Sequence, residues 1–244
     1  MFLTYETALP DNVGYRLFDK THIAIMLLCI LLIIWLVLYY VKSTASVKGI
    51  LIRVIGIIPP VLTVLRILYV VCCGESVKYE LPLHLCSLAG FLCFIHSIYP
   101  RSLGQVLYSL CMPGAILAIV FPNGTNYPAF HFITIESYLF HSLIIAYVII
   151  RLTDRAVIPD LRDSYKSVVF LTITVPIVYI CNRILGTNYM FLMGPSAGSP
   201  LSGIYYSYGY VVYLVVFGII TAAVIIAINI IGQLIGTRCH THKK

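Results

Sequence analysis

The sequence predicts an all-α fold, a polytopic bundle of about seven transmembrane helices. Of its 244 residues, 60% are hydrophobic and only 10% are charged, whereas a soluble domain carries roughly 25% charged residues. The mean hydropathy is +0.97. Four long stretches contain no Asp, Glu, Lys or Arg: 23–41, 81–100, 102–135 and 184–237. So few charges cannot cover a water-facing surface, and a soluble fold is excluded.

Because about 20 apolar residues span the hydrocarbon core of a bilayer, the apolar stretches divide into seven predicted helices. In chain order these are 22–41, 50–72, 81–99, 103–121, 131–150, 167–185 and 208–234. The first follows 21 residues of mixed charge and has no small-residue cleavage site after it, which favours a membrane span over a signal peptide. The connections are short, so we expect a single membrane domain over 1–244.

Three features mark the helix boundaries. Pro59 and Pro60 offer no N–H to the second helix and predict a kink there. Pro82 suits the first turn of the third helix. The segment Gly186–Gly203 is uncharged and rich in Gly, Ser and Pro, so it cannot form one straight helix. Two interpretations of it are open: a re-entrant or tightly packed outer loop, or a substrate contact made by Asn188 or Tyr189.

The distribution of basic residues predicts the orientation of the bundle. Cytoplasmic loops of membrane proteins collect Lys and Arg. With the N-terminus outside, eleven basic residues fall on the cytoplasmic side and five on the outer side. The eleven are Lys42, Lys48, Arg53, Arg101, Arg151, Arg155, Arg162, Lys166, Arg238, Lys243 and Lys244; the five are Arg16, Lys20, Arg66, Lys78 and Arg183. We therefore expect a cell-membrane protein with its N-terminus outside and its C-terminus in the cytoplasm.

Charge and cysteine content exclude other classes. The net charge of +7 is explained by the cytoplasmic loops, so no nucleic-acid partner is predicted. Most of the eight cysteines lie inside apolar stretches, where Cys is usually a small packing residue. There is no CxxC and no spaced quartet of zinc-ligand type. Neither a metal nor another cofactor is predicted.

Polar groups inside the predicted helices are unevenly distributed with depth. An ionisable group in a membrane is costly and is therefore a functional candidate. His96 lies at the inner end, whereas the other candidates lie in the outer half. These are His22, Arg66, His84, Cys86, His131, Glu136, His141, Asn182 and Arg183. The clustering predicts one polar pocket that opens to the outer leaflet.

Several of these residues also have structural interpretations. Arg66 and Arg183 are long enough to extend their charges to the interface. Glu136 either neutralises one of these arginines or orients a histidine. His22 and His131, at helix ends, fit hydrogen-bonding roles at the level of the headgroups.

Cys86 together with a histidine offers the most chemistry. A thiol becomes a nucleophile as the thiolate, which a histidine or a helix N-terminus stabilises. His84 is two residues away and so on the wrong side of the helix, which leaves His141 or His131 as the base. On spacing alone, Cys86 also fits a packing residue. A competing hypothesis is a zinc site, as in catalytic zinc centres with three protein ligands, formed from His84, Cys86, His131, Glu136 and His141.

Five segments resemble those of the bacterial YwaF-type integral membrane proteins. They are FDKTHI (18–23), LPLHLCSLAGFL (81–92), FPNG (121–124), FHSL (139–142 with His141) and LGTNYMFLMGPSAGSPL (185–201). They occur in order over nearly the whole chain. The resemblance extends to eukaryotic relatives, the transmembrane acyltransferases that remodel ether phospholipids.

The resemblance implies ping-pong acyl transfer through a membrane cysteine with a histidine as base. Cys86 matches the cysteine and His141 the histidine, and the implied partners are a phospholipid donor and a lysophospholipid acceptor. Arg66 or Arg183 is then expected to hold the lipid phosphate, and Asn188 and Tyr189 to contribute to an oxyanion site. The alternatives are a metal-dependent intramembrane lipid hydrolase and a non-enzymatic transporter or accessory protein, although the chain lacks the symmetric helix breaks of many transporters.

Overall fold

Every long element of the protein is a helix. The computed structural model describes residues 1–100, 103–196 and 199–241, with only the backbone for 236–241, and these ranges contain no strand. The helices are α1 (Lys20–Lys42), α2 (Ala45–Cys72), α3 (Leu85–Ile98), α4 (Gly104–Val120), α5 (Phe132–Thr153), α6 (Ser164–Leu185) and α7 (Ser202–Thr241). Five of them are long and apolar enough to cross a membrane, and α3 and α4 are shorter apolar helices. The protein is thus a polytopic helical membrane bundle.

The helix order matches the prediction, but two helices have different bounds. Helix α3 begins at Leu85 rather than at residue 81, because a single 3-10 turn (Val77–Tyr79) and an irregular stretch carry the chain to His84. The last helix begins at Ser202, before the predicted 208, and is interrupted at Gly209, whose φ of 84° is outside the helical region. Helix α2 continues through Pro59 and Pro60.

Helix α5 is the centre of the bundle. In its most apolar window 72% of the residues are buried, against 17% in α1 and 11% in α6. It packs against α1, α2, α3 and α4. The other helices therefore present most of their apolar surface outward, as helices in contact with lipid do.

The contact of α3 with α2 and α5 depends on Gly90. A Cβ atom at this position would lie 3.1 Å from the Cβ atom of Pro59 and 3.2 Å from the ring of Phe140. Only glycine allows so close an approach without displacing these neighbours. This contact fixes α3 against α5 one turn below Cys86.

The outer segments pack on one another. Phe132 N–H donates to the carbonyl of Phe2 and Tyr15 N–H donates to the carbonyl of Thr125. The segment after α6 ends that helix with Gly186 in the left-handed conformation, at φ 66°. It then packs Tyr189, Met190 and Leu192 against the leucines that precede and begin α3. The expectation that 186–203 is not one straight helix is confirmed over its described part; residues 197 and 198 lie outside the description.

The inner half contains more buried polar groups than expected. Arg151 is 6% exposed and pairs with Asp154 at 2.5 Å, which also accepts a hydrogen bond from Tyr40. His96 is fully buried and shares a 2.9 Å hydrogen bond with Tyr147. The expectation that the inner half holds almost no ionisable groups is therefore wrong, because α5 extends to Thr153 and carries Arg151 inside the bundle.

The orientation remains a prediction that labelling can test. Arg101, Lys243 and Lys244 lie outside the described residues, as does the side chain of Arg238. With the N-terminus outside, a cysteine at Lys78 is expected to react with a membrane-impermeant maleimide added to intact cells. One at the exposed Arg162 should react only after the cells are opened. Reaction of position 162 from outside would contradict the orientation.

Candidate active site

Three charged side chains form the centre of the outer polar region. Arg66 of α2 donates from Nε to Glu80 Oε2 at 2.6 Å and from a terminal nitrogen to Glu136 Oε2 at 3.1 Å. The side chain of Glu136 is 5% exposed and that of Glu80 15%. The structural interpretation of Glu136 as an ion-pair partner of Arg66 is confirmed. Glu80, just before α3, is the second partner, which the sequence did not indicate.

His141 lies within electrostatic range of Arg66 and is half-buried on α5. Its Nδ1 lies 2.6 Å from the carbonyl oxygen of Ser137. A carbonyl accepts only, so Nδ1 carries the hydrogen and Nε2 of the neutral ring is the acceptor. Nε2 has no hydrogen-bond partner in the described residues and is not one of their fully buried unpartnered atoms. His141 is thus held in the tautomer that a general base at Nε2 requires.

Cys86 lies in the first turn of α3 and is half-buried against the bundle core. Residues four apart share a face of a helix, so Cys86 is one turn outward from Gly90, which touches Phe140 of α5. Helices α3 and α5 both begin at the predicted outer end. One turn outward from Phe140 is the turn containing Ser137, toward which the His141 ring is drawn. Cys86 and His141 therefore occupy similar depths on two helices in contact.

His84 is the residue preceding α3. Its Nδ1 accepts the backbone N–H of Met190 at 3.3 Å, which leaves the hydrogen on Nε2. Its ring packs edge-on against Tyr189, with centroids 4.9 Å apart, and it lies within electrostatic range of Arg66. His84 thus joins the outer segment 186–196 to the charged centre.

The side chains of Asn182, Asn188 and Tyr189 are bonded to the chain itself. Asn182 accepts the backbone N–H of Tyr189 at 2.7 Å and donates to its carbonyl at 2.9 Å. The Tyr189 hydroxyl donates to the carbonyl of Lys78 and accepts from Leu81 N–H. Asn188 bonds to the backbone of Met193 and Gly194. The Tyr189 hydroxyl has no hydrogen left for an oxyanion, so the structure favours the packed-loop interpretation.

These contacts predict that Asn182→Ala destabilises the protein. It leaves the buried N–H and carbonyl of Tyr189 without partners, and each unsatisfied group costs about 1–3 kcal/mol. We expect a clear fall in melting temperature in detergent, followed by intrinsic fluorescence. Asn188→Ala is the matched control, since Asn188 is exposed and water can replace its contacts. An equal loss in both variants would contradict the prediction.

The two helix-end histidines are structural. His22 Nδ1 accepts from Phe18 N–H at 2.9 Å, and its Nε2 donates to the carbonyl of Ile119 at 3.1 Å. His131 accepts from Ile133 N–H and donates to the carbonyl of Thr4 at 2.8 Å. Both rings have both nitrogens occupied, as expected for helix-end residues, which excludes His131 as the base for Cys86 in this conformation.

Arg183 and Asp19 complete the outer side. Arg183, on α6, is exposed and belongs to no ion pair within the described residues. Asp19 precedes α1 and accepts the backbone N–H of His22 at 2.8 Å. This backbone donor and that of Arg16 lower the pKa of the Asp19 carboxyl from its ordinary value. The predicted candidates are thus spread over several places rather than gathered in one pocket.

The proposed zinc ligands do not converge. No group of three or more His, Cys, Asp or Glu side chains within the described ranges is arranged to hold a metal ion. His131 is bonded to Thr4 and Ile133, and Glu136 to Arg66. The five-residue ligand set suggested by the sequence is therefore wrong.

The comparisons with known proteins agree with this architecture. The model of the TMEM164 family matches residues 17–229, a range that includes the charged centre, Cys86, His141 and the segment after α6. None of the curated proteins and none of the solved structures compared matches the chain. The family match covers most of the chain and makes no YwaF-type assignment, so the narrower bacterial resemblance stays a prediction. The chain belongs to the TMEM164 family.

Proposed function

We propose that this protein is a membrane-embedded lipid acyltransferase in which Cys86 carries the acyl group as a thioester and His141 is the base. The observation that supports it most is the hydrogen bond from His141 Nδ1 to the Ser137 carbonyl. It leaves an unpartnered Nε2 acceptor at the depth of the thiol on a neighbouring helix. The sequence resemblance to YwaF-type proteins and to the ether-phospholipid acyltransferases points to the same two residues.

The first half-reaction loads the enzyme. His141 Nε2 accepts the Cys86 thiol proton, and the thiolate attacks the ester carbonyl carbon of a phospholipid. A C–S bond forms and the ester C–O bond breaks. The departing lysophospholipid oxygen takes the proton back from His141, so charge and protons balance.

The second half-reaction unloads it. The hydroxyl of a lysophospholipid acceptor gives its proton to His141 Nε2 and attacks the thioester carbonyl. The new C–O bond replaces the C–S bond, and the thiolate regains the proton. Water in place of the acceptor gives hydrolysis, so exclusion of water from the half-buried thiol favours transfer.

The start of α3 supports the negative charge that develops in both steps. The first backbone hydrogen bond of this helix runs from Leu88 to His84, and His84 does not cap the helix with its side chain. The preceding N–H groups of the turn have no partner within the helix. The amides of Cys86 and Ser87 therefore replace Asn188 and Tyr189 as the proposed oxyanion donors.

The lipid phosphate is assigned to Arg183 rather than to Arg66. Arg66 faces two carboxylates, so its cluster carries a net negative charge and repels phosphate. Arg183 is exposed near the outer end of α6 and has no ion-pair partner in the described residues. Donor and acceptor lipids would then reach Cys86 from the outer leaflet of the cell membrane.

The test is the intact mass of the purified protein after incubation with a phospholipid that carries a labelled acyl chain. We expect a mass increase of one acyl group less one hydrogen, which neutral hydroxylamine removes and which a labelled lysophospholipid discharges with formation of labelled phospholipid. A protein that remains unmodified, or an adduct stable to hydroxylamine, would refute the thioester.

A further inference from the structure

An open cleft of about 400 Å³ lies at the outer end of α3, next to the turn that contains Cys86. Its lining includes Tyr79, His84, Asn123, Thr187, Asn188 and Phe191. Ligand sites typically have volumes of about 300–1,000 Å³. The cleft thus has the size of a headgroup rather than of an acyl chain.

Three polar groups in the cleft are free to bind a ligand. The Nε2–H of His84 is a donor, because its Nδ1 accepts from Met190. Neither the Asn123 amide nor the Tyr79 hydroxyl has a hydrogen-bond partner in the described part of the chain. Together they offer donors and acceptors, the complement that ligand hydroxyl groups require.

The charge around the cleft narrows the ligand. None of its lining residues is Asp, Glu, Lys or Arg, so a bare anion or ammonium would find no counterion inside. Lys78 stands outside the lining with Nζ 4.8 Å from the Tyr79 ring centroid, where it opposes a quaternary ammonium on that ring. Arg183 precedes Gly186, a lining residue, by three positions. Cations thus flank a neutral, hydrogen-bonding interior.

We propose that this cleft binds the hydroxyl-bearing headgroup of the acceptor lysophospholipid, with its phosphate toward the flanking Lys78 and Arg183. The role as acceptor rests on the proposed function, whereas the headgroup chemistry rests on the cleft alone. A glycerol headgroup matches it: two hydroxyls for His84 and Asn123, a carbon face for Phe191, and no positive charge.

The experiment measures lipid binding without turnover. Dissociation constants of lysophosphatidylglycerol, lysophosphatidylcholine and lysophosphatidylethanolamine with one common acyl chain are measured by native mass spectrometry. The full chain and its Cys86→Ala variant are both used. We expect the glycerol lipid to bind about three- to tenfold more tightly than the other two, as one or two additional hydrogen bonds would give.

Asn123→Leu and His84→Phe should each reduce this preference about three- to tenfold, and His84→Gln, which restores an N–H donor, should recover part of it. Asn126→Leu is the matched control from the same loop, since Asn126 bonds to Glu6 outside the cleft. Equal affinities for the three lipids, tighter binding of choline, or an equal loss in Asn126→Leu would overturn the proposal. Selectivity without an acyl adduct would sustain the headgroup site and refute the transferase, and an adduct without selectivity would do the reverse.

Discussion

Cys86→Ala is expected to abolish both the acyl adduct and acyl transfer, because no other thiol lies in the first turn of α3 beside the free Nε2 of His141. The substitution removes a single sulfur from a half-buried position, so the stability cost should be about 1 kcal/mol. The measurements are intact mass, release of labelled lysophospholipid and melting temperature, made on the same preparations.

Cys93→Ala is the matched control for this prediction. Cys93 is fully buried on the same helix, two turns further inward, and its replacement removes the same atom without affecting the proposed site. We expect a slightly less stable but active enzyme. Loss of the adduct in Cys93→Ala and its retention in Cys86→Ala would overturn the assignment.

His141→Ala should lower the rate of acyl transfer by about 10²–10⁴-fold, the usual contribution of a general base. It should leave lipid binding unchanged, because His141 does not line the headgroup cleft. If both cysteine variants and His141→Ala stay active, neither the transferase assignment nor its base survives, and the transporter alternative gains weight.

The number and order of the helices could be predicted because each is an apolar stretch of spanning length. Their ends could not. The chain from 77 to 84 is as apolar as a helix, yet the hydrogen bonds of Tyr189 to Lys78 and Leu81 hold it in another conformation. Those partners lie more than a hundred residues apart, so no local pattern reveals them.

The candidate site was predictable only in its composition. That a buried Glu136 needs a cation follows from the cost of burying a charge, and Arg66 was an available partner. Glu80 lay outside the predicted helices, so it was counted with the solvated residues. Likewise, a sequence cannot tell that His131 is occupied by Thr4 and Ile133 while His141 keeps a free nitrogen, because tertiary contacts decide which ring atoms remain available.

Arg66→Met is expected to be the most destabilising single substitution in the outer half. It leaves Glu80 and Glu136 facing each other without the cation that both contact. Removing one partner of a buried ion pair typically costs about 3–5 kcal/mol. For a protein of this size that corresponds to a fall in melting temperature of roughly 10 °C, which can be followed by fluorescence in detergent.

Two comparisons show whether uncompensated charge is the cause. Lys166→Met breaks an ion pair with Asp163 whose side chains are 46% and 39% exposed, and such surface pairs contribute about 0–1 kcal/mol. It should therefore melt close to the unmodified protein. The triple variant Arg66→Met, Glu80→Gln, Glu136→Gln removes all three charges and should regain most of the lost stability, because neutral groups avoid the desolvation cost. If the triple variant is no more stable than Arg66→Met, the loss comes from packing around the arginine side chain rather than from the buried carboxylates.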